Sequence, residues 1–304
     1  MRIALISSTI DPASVNIKEQ LLDDYEFVRL ENKFEDNDVY GYLVGNKDIK
    51  LYTIDTELIF TDDLDKKIEA DVFVFLSKHK AADGRASLTC HPIGNFNGNE
   101  KGGKENTLCV CASSLLKEIL IELSKNVEGS EYEATLESTH HGPFMAKPLL
   151  FFELGSTEKH WNDKNGAKIY VKTLMNVLGK FNDKEKTIKN NFNDKKTMDN
   201  DFKNNNYKKI NNDSGNKVVF VIGGSHYNHV ANKVMLNTNY TVGHICPKFN
   251  LENLNEEMLK QAMEKSNSKF VLLDWKGLGK EKQRILDLLE KNNIKFKRSD
   301  KFFE

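Results

Sequence analysis

The chain has 304 residues, 39% hydrophobic and 29% charged, with 44 Lys and Arg against 45 Asp and Glu for a net charge of -1. That length supports a core needing neither disulfide nor metal, and no apolar run nears the roughly 18 to 20 residues of a membrane span, so no membrane role is expected. Charge balance neither demands nor excludes a nucleic-acid partner, because a basic stripe on one face can be offset by acids elsewhere.

From the amino terminus, "RIALIS" (2–7) reads as a buried first strand without the longer apolar region of a signal peptide, which places the protein in the cytoplasm. Strands are expected at "DVFVFL" (71–76), "SLTCH" (87–91), "YEATLEST" (132–139), "LLFFELG" (149–155), "KVVFVIGG" (217–224), "YTVGHI" (240–245) and "KFVLLDW" (269–275). Between them, helical spacing of apolar residues covers 113–127, a stretch near 166–179, another near 229–236, then 255–266 and 280–293. This alternation predicts an α/β layered fold with a mixed, largely parallel central sheet flanked by helices, forming one domain over 1–304. The Asn- and Lys-rich stretch 182–216 breaks the pattern. Its eight lysines nearly balance six acids, and its few aliphatics cannot repay the entropy of ordering, so it reads as a solvated surface insertion. The four cysteines, Cys90, Cys109, Cys111 and Cys246, form no CxxC pair and read as free buried thiols.

Chemistry is expected where the histidines gather. His79, His91, His140, His141, His226 and His244 all fall where a predicted strand gives way to a loop, the rim at which open α/β sheets bind ligands. In "ESTHHGP" (137–143), strand alternation would turn Glu137 and Thr139 one way and Ser138 and His140 the other, with His141 in the turn fixed by Gly142 and Pro143. Two adjacent histidines are thus weak evidence for two metal ligands, and neither HExxH spacing nor a GxSxG elbow is present. "FELGSTEKHW" (152–161) adds Glu153, with Thr157 as a helix cap ahead of His160. "GGSHY" (223–227) sets Gly223, Gly224 and His226 where a strand stops, and "GHICPK" (243–248) adds His244 and Lys248. The loop "GNFNGNEKGGKEN" (94–106) begins at Gly94 and lacks the P-loop pattern; it reads either as a hairpin tip or as a flap whose Phe96 could stack on a base.

These blocks, together with "LSKHKAADGRASLTCHPIGN" (76–95), strongly resemble the archaeal and plant type of D-aminoacyl-tRNA deacylase, in that family's order and across most of residues 1–276. After "GGSHY" the chain departs from the family pattern, reading "NHVANK" where a Pro-Arg or similar step is expected, and His229 is given no role. The resemblance implies a cytosolic, zinc-dependent monomeric esterase that frees D-amino acids from the acceptor end of aminoacyl-tRNA, with no membrane or DNA partner. It also implies a fold similar to peptidyl-tRNA hydrolases and nucleoside phosphorylases.

Ester hydrolysis needs an activated water, a donor for the developing oxyanion and a proton for the leaving hydroxyl. Under a metal mechanism His91, His140, His141 and His226 are the expected ligands or bases, with Glu137 or Glu153 orienting an imidazole or taking the water's proton. Without metal the same residues act as base and orienting carboxylate, while amides at Gly223 and Gly224 hold the oxyanion. Lys78, His79, Arg85, Gly94, Glu153, His244 and Lys248 are expected to face the substrate, Lys78 and Arg85 through phosphates or ribose. Two other readings stay open: a phosphorylase-like or peptidyl-tRNA hydrolase-like enzyme, recognised in the first case by phosphate dependence, and a non-catalytic tRNA-binding protein.

Overall fold

The computed structural model describes residues 1–181 and 217–303; the insertion expected at 182–216 lies outside the described residues. The chain begins with β1 (Arg2–Ser8), then α1 (Pro12–Asp24), whose start is set by Pro12 and by Asp11, its Oδ1 accepting from Ser14 N–H at 3.0 Å. An antiparallel meander follows, β2 (Val28–Phe34), β3 (Asn37–Val44) and β4 (Lys47–Ile54). Next come β5 (Val72–Lys80), β6 (Ser87–His91), the short ribbon β7 (Gly94–Asn95) and β8 (Thr107–Leu108), α2 (Ser113–Asn126), β9 (Glu133–Leu136) and β10 (Leu149–Ser156). The last described part before the insertion is α3 (Glu158–Trp161) and α4 (Lys164–Lys180). Beyond it the order is β11 (Lys217–Ile222), α5 (His229–Asn237), β12 (Tyr240–Cys246), α6 (Glu256–Lys265), β13 (Phe270–Leu273), α7 (Lys282–Lys291) and β14 (Phe296–Arg298).

The strands form two principal sheets where one was expected. Eight strands run in the order β2-β3-β4-β1-β5-β10-β6-β9, and four more in the order β12-β11-β13-β14. The smaller sheet is parallel throughout. The larger is mixed, with β1, β4, β5 and β10 parallel and β6 reversed against β10. No helix among the described residues is long and apolar enough to cross a membrane.

Pleating decides what each face of the large sheet carries. Val72, Val74 and Leu76 of β5 and Leu150, Phe152 and Leu154 of β10 pack with α1, α2 and α4 residues such as Ile17, Leu116 and Leu174. The alternate positions, Phe73 and Phe75 with Leu149 and Phe151, pack on the other side with Tyr52, Ile54 and Met145. Each such side chain contributes about 1.5 to 3 kcal/mol by leaving water. Glu153 and His79 share the parity of Phe151 and Phe75, so the sheet delivers both to the face away from those helices. The first apolar cluster also takes in Val219, Val221, Val242 and Ile245 of the smaller sheet and Ala231 and Val234 of α5, joining the two sheets.

Candidate active site

Five of the six rim histidines meet two carboxylates in one buried cluster. His79 comes from β5 and Glu153 from β10, paired side by side with Gly155 opposite His79. A Cβ at Gly155 would run into the backbone of His79, so glycine is what allows these strands to close there. On the other flank of β10, β6 sets His91 opposite Phe151 and Thr89 opposite Glu153. Thus His91 and His226 do lie past or at strand ends, while His79 and Glu153 are held within strands.

The "ESTHHGP" segment does not keep strand alternation. β9 stops at Leu136, and the chain beyond it splits its residues between site and scaffold. Ser138 is scaffold: its N–H and hydroxyl both donate to His226 O, at 2.8 and 3.0 Å, fastening the "GGSHY" loop in place. Thr139 is scaffold too, its Oγ1 accepting from Ile245 N–H at 2.9 Å. Glu137 and His140, three apart, turn into the cluster together, Glu137 Oε2 lying 3.7 Å from His140 Nε2. His141 takes a left-handed φ of 45°, an uncommon conformation for a non-glycine residue. It is pinned by Gly94 N–H donating to its carbonyl at 3.1 Å. Beside it, a Cβ on Gly142 would strike the backbone of Gly102 and Gly103, so the loop tip after Gly94 is packed against this turn.

The charges divide the cluster in two. His79 Nδ1 lies 3.1 Å from Glu137 Oε1 and 3.2 Å from Glu153 Oε2, and its Nε2 is 2.7 Å from Tyr227 Oη. Burial alone would lower the His79 pKa, but Glu137 and Glu153 overcome it and push it up to about 11. His79 is therefore a fixed imidazolium near neutral pH. In return, and against their own burial, Glu137 is held well below the usual carboxylate range by His226 and His79, and Glu153 is held at about 2 by His79 and His91.

On the other side His91, His140 and His141 crowd together, their ring centroids 4.0 to 4.8 Å apart. Burial, then the neighbouring imidazoles, holds His140 well below its ordinary pKa and His141 at about 4. Those two rings stay neutral. His91 is drawn upward, because Glu153 at 3.7 Å outweighs its burial.

The donor chemistry of the three rings fits a metal ion. Each Nδ1 faces a backbone carbonyl, His91 with Pro92 O at 3.2 Å, His140 with Ser138 O at 2.8 Å and His141 with Gly142 O at 2.6 Å. A carbonyl only accepts, so Nδ1 carries the hydrogen and the lone pair lies on Nε2, the second-layer arrangement typical of metal-binding histidines. One ring nitrogen from each of the three lies within 4.8 Å of the others, and the same holds for Glu137, His140 and His226 and for His79, Glu137 and Glu153. His91 Nε2 and both Glu137 oxygens are buried without an aligned hydrogen-bond partner, a cost that a bound cation would remove.

The sequence is similar throughout to proteins of one kind. The family model of D-aminoacyl-tRNA deacylase matches residues 66–297. The chain belongs to the D-aminoacyl-tRNA deacylase family. With that family it is a hydrolase of the aminoacyl-tRNA ester bond. A D-aminoacyl-tRNA deacylase of Methanosarcina acetivorans is 32% identical, over 97% of this chain and 91% of its own length. One from Pyrococcus furiosus is 30% identical, over 96% and 98%. Among solved structures, a conserved protein of unknown function superposes with a TM-score of 0.79 at 26% identity, covering 99% of this chain and 96% of that one.

Around this cluster the remaining expected residues divide. His244 stays out of the cluster: fully buried, its Nε2 meets Cys109 O at 2.9 Å and its Nδ1 meets Thr139 Oγ1 at 3.1 Å, so both nitrogens are used in the scaffold. Gly223 cannot serve as an oxyanion donor, since its N–H already donates to Cys246 O at 2.8 Å. Gly224 takes a left-handed turn and accepts from the Lys248 N–H at 2.9 Å. Lys78 donates its backbone N–H to Asp11 Oδ2 at 3.0 Å. Arg85 pairs with Asp83 and Glu133 at 2.9 Å, and its guanidinium stands 6.0 Å from the Tyr227 ring at the edge of the site. Phe96 is a core residue, 1% exposed and stacked 6.3 Å from Phe220, which rules out stacking on a base. His160 belongs to the Thr157 cap of α3, as Thr157 was expected to; His229 begins α5. Tyr227 was missed, although the quoted "GGSHY" contained it: nothing in a sequence marks which hydroxyl will meet an imidazole contributed by another strand.

Proposed function

We propose that this protein hydrolyses the ester between a D-amino acid and the terminal ribose of tRNA, returning free D-amino acid and tRNA, with His226 as the base that activates water. The observation that carries the reading is the 2.7 Å approach of His226 Nε2 to Glu137 Oε2, in a chain of this family. His226 is 34% exposed where Glu137 is 1% exposed: an imidazole open to substrate is backed by a carboxylate that burial and two further histidines keep in place. At that distance Glu137 stabilises the imidazolium that forms as His226 takes the proton of the attacking water and then gives it to the departing ribose oxygen.

His91, His140 and His141 would hold a metal, and their all-nitrogen set suits zinc. Bound there, zinc would polarise the ester carbonyl and lower the pKa of a bound water toward about 7. Glu153, paired with His79 and facing His91, fixes the imidazoles around it. We place the reaction in the cytoplasm, where charged tRNA is found, and assign it to a monomer whose arginine at position 85 lies at the edge where the acceptor end would enter. The test is release of D-tyrosine from D-tyrosyl-tRNA by the wild type and by Glu137→Gln: turnover by the first and its near loss in the second is expected, whereas equal rates would remove the pair from the chemistry.

A further inference from the structure

Among the described residues, six large apolar side chains are well exposed, and Phe249, at 55%, is the one that stands beside a site histidine. Its ring centroid is 6.4 Å from that of His226, with the planes inclined by 39°. The mounting is firm. Phe249 is the second residue of a 3₁₀ turn, Lys248–Asn253, tied at its start to the His226 loop by the Lys248 N–H donating to Gly224 O at 2.9 Å. At its far end Leu251 and Leu254 are buried, and Arg284 donates to both of their carbonyls. An exposed phenyl ring on a backbone anchored this way keeps its place beside His226 while leaving its apolar surface in water, a loss that a flat ligand would recover.

We propose that Phe249 is the stacking platform for the terminal adenine of the tRNA acceptor end, and that this stack seats the ester at His226. The inference rests on the deacylase reading above. In the substrate, the scissile ester and the terminal base hang from the same ribose, one sugar ring apart. On the protein, His226 and Phe249 stand in the same relation: an open imidazole and, one ring away, an exposed aromatic face. Stacking on an aromatic side chain is the usual way to hold an unpaired 3′ base. Phe249 is thus a positioning residue that touches the nucleoside and leaves the bond-breaking step to the histidines.

The test is a two-by-two comparison of kcat/KM. One axis is wild type against Phe249→Ala; the other is D-tyrosyl-tRNA against the same ester on a tRNA whose terminal adenine has been replaced by hydrogen. Removing either the ring or the base should lower kcat/KM by about tenfold to a hundredfold, the scale of one lost stack. Removing both should cost no more than either alone. Phe249→Trp should restore turnover of the intact substrate, and Leu43→Ala, an exposed truncation on β3, should change nothing. Independent, multiplying losses would overturn the proposal, as would a Phe249→Ala loss undiminished on the baseless ester, which would place the ring against the amino-acid side chain. Wild-type protein that fails to cleave intact D-tyrosyl-tRNA would instead bring down the deacylase reading on which this one stands.

Discussion

Glu137 and His226 approach to 2.7 Å, although one follows β9 and the other follows β11 of a different sheet. The two-point bond of Ser138 to the His226 carbonyl makes the contact possible, because it fixes one loop against the other. Glu137→Gln keeps the shape and removes the charge. It should lower deacylation by at least about a hundredfold, the scale of losing an oriented general base. His226→Ala should fall as far, and the double variant little further, since the two act as a unit.

His140→Ala and His141→Ala should also lower deacylation at least about a hundredfold. If the three ring-nitrogen donors hold metal, elemental analysis should show His91→Ala, His140→Ala and His141→Ala purified with much less zinc than wild type. Full zinc content with lost activity would move the pair from metal binding to acid–base work.

His79 tests the other half of the cluster. It is the charge that lets two buried carboxylates coexist, so His79→Ala should destabilise the protein by about 3 to 5 kcal/mol in urea unfolding, the cost of breaking a buried pair. Because its folded pKa is raised, its contribution is complete below about pH 6.5 and fades as the pH climbs toward about 11.

His244 gives a pH signature of opposite sign. Burial holds its pKa at about 4, below the roughly 6.5 of an unfolded histidine. The unfolded chain therefore binds the extra proton first, and stability that is complete above pH 6.5 is lost as the pH falls through 4, by about 3 kcal/mol in all. In His244→Gln, which can still donate to Cys109 O and accept from Thr139, that share of the acid-induced loss in melting temperature should disappear.

What could be read from sequence follows the range of each interaction. Strands β5, β6, β10 and β11 and helices α2, α4, α5 and α6 were legible because their residues are buried by a simple local period. The meander β2 to β4 was not, since "VRLENKF" carries three charged residues and lies largely exposed at the sheet edge. Two sheets rather than one could not be foreseen, as pairing partners are long-range. The histidine rim was legible as a set of strand ends, but His244 looked the same as its neighbours until both its nitrogens were seen in the scaffold. Phe96 was misjudged from its polar surroundings, because a Gly- and Asn-rich loop gave no sign that its one aromatic would turn inward against Phe220.

The most direct measurement is a deacylation time course on D-tyrosyl-tRNA and L-tyrosyl-tRNA, using metal-free protein with and without zinc added back, and a chelator in parallel. The account predicts loss of the D ester while the L ester persists, stopped by the chelator and restored by zinc. Cleavage of neither ester, or of both alike, would contradict the assignment of D-aminoacyl-tRNA as substrate, and D-specific cleavage indifferent to zinc and chelator would contradict the metal role given to His91, His140 and His141.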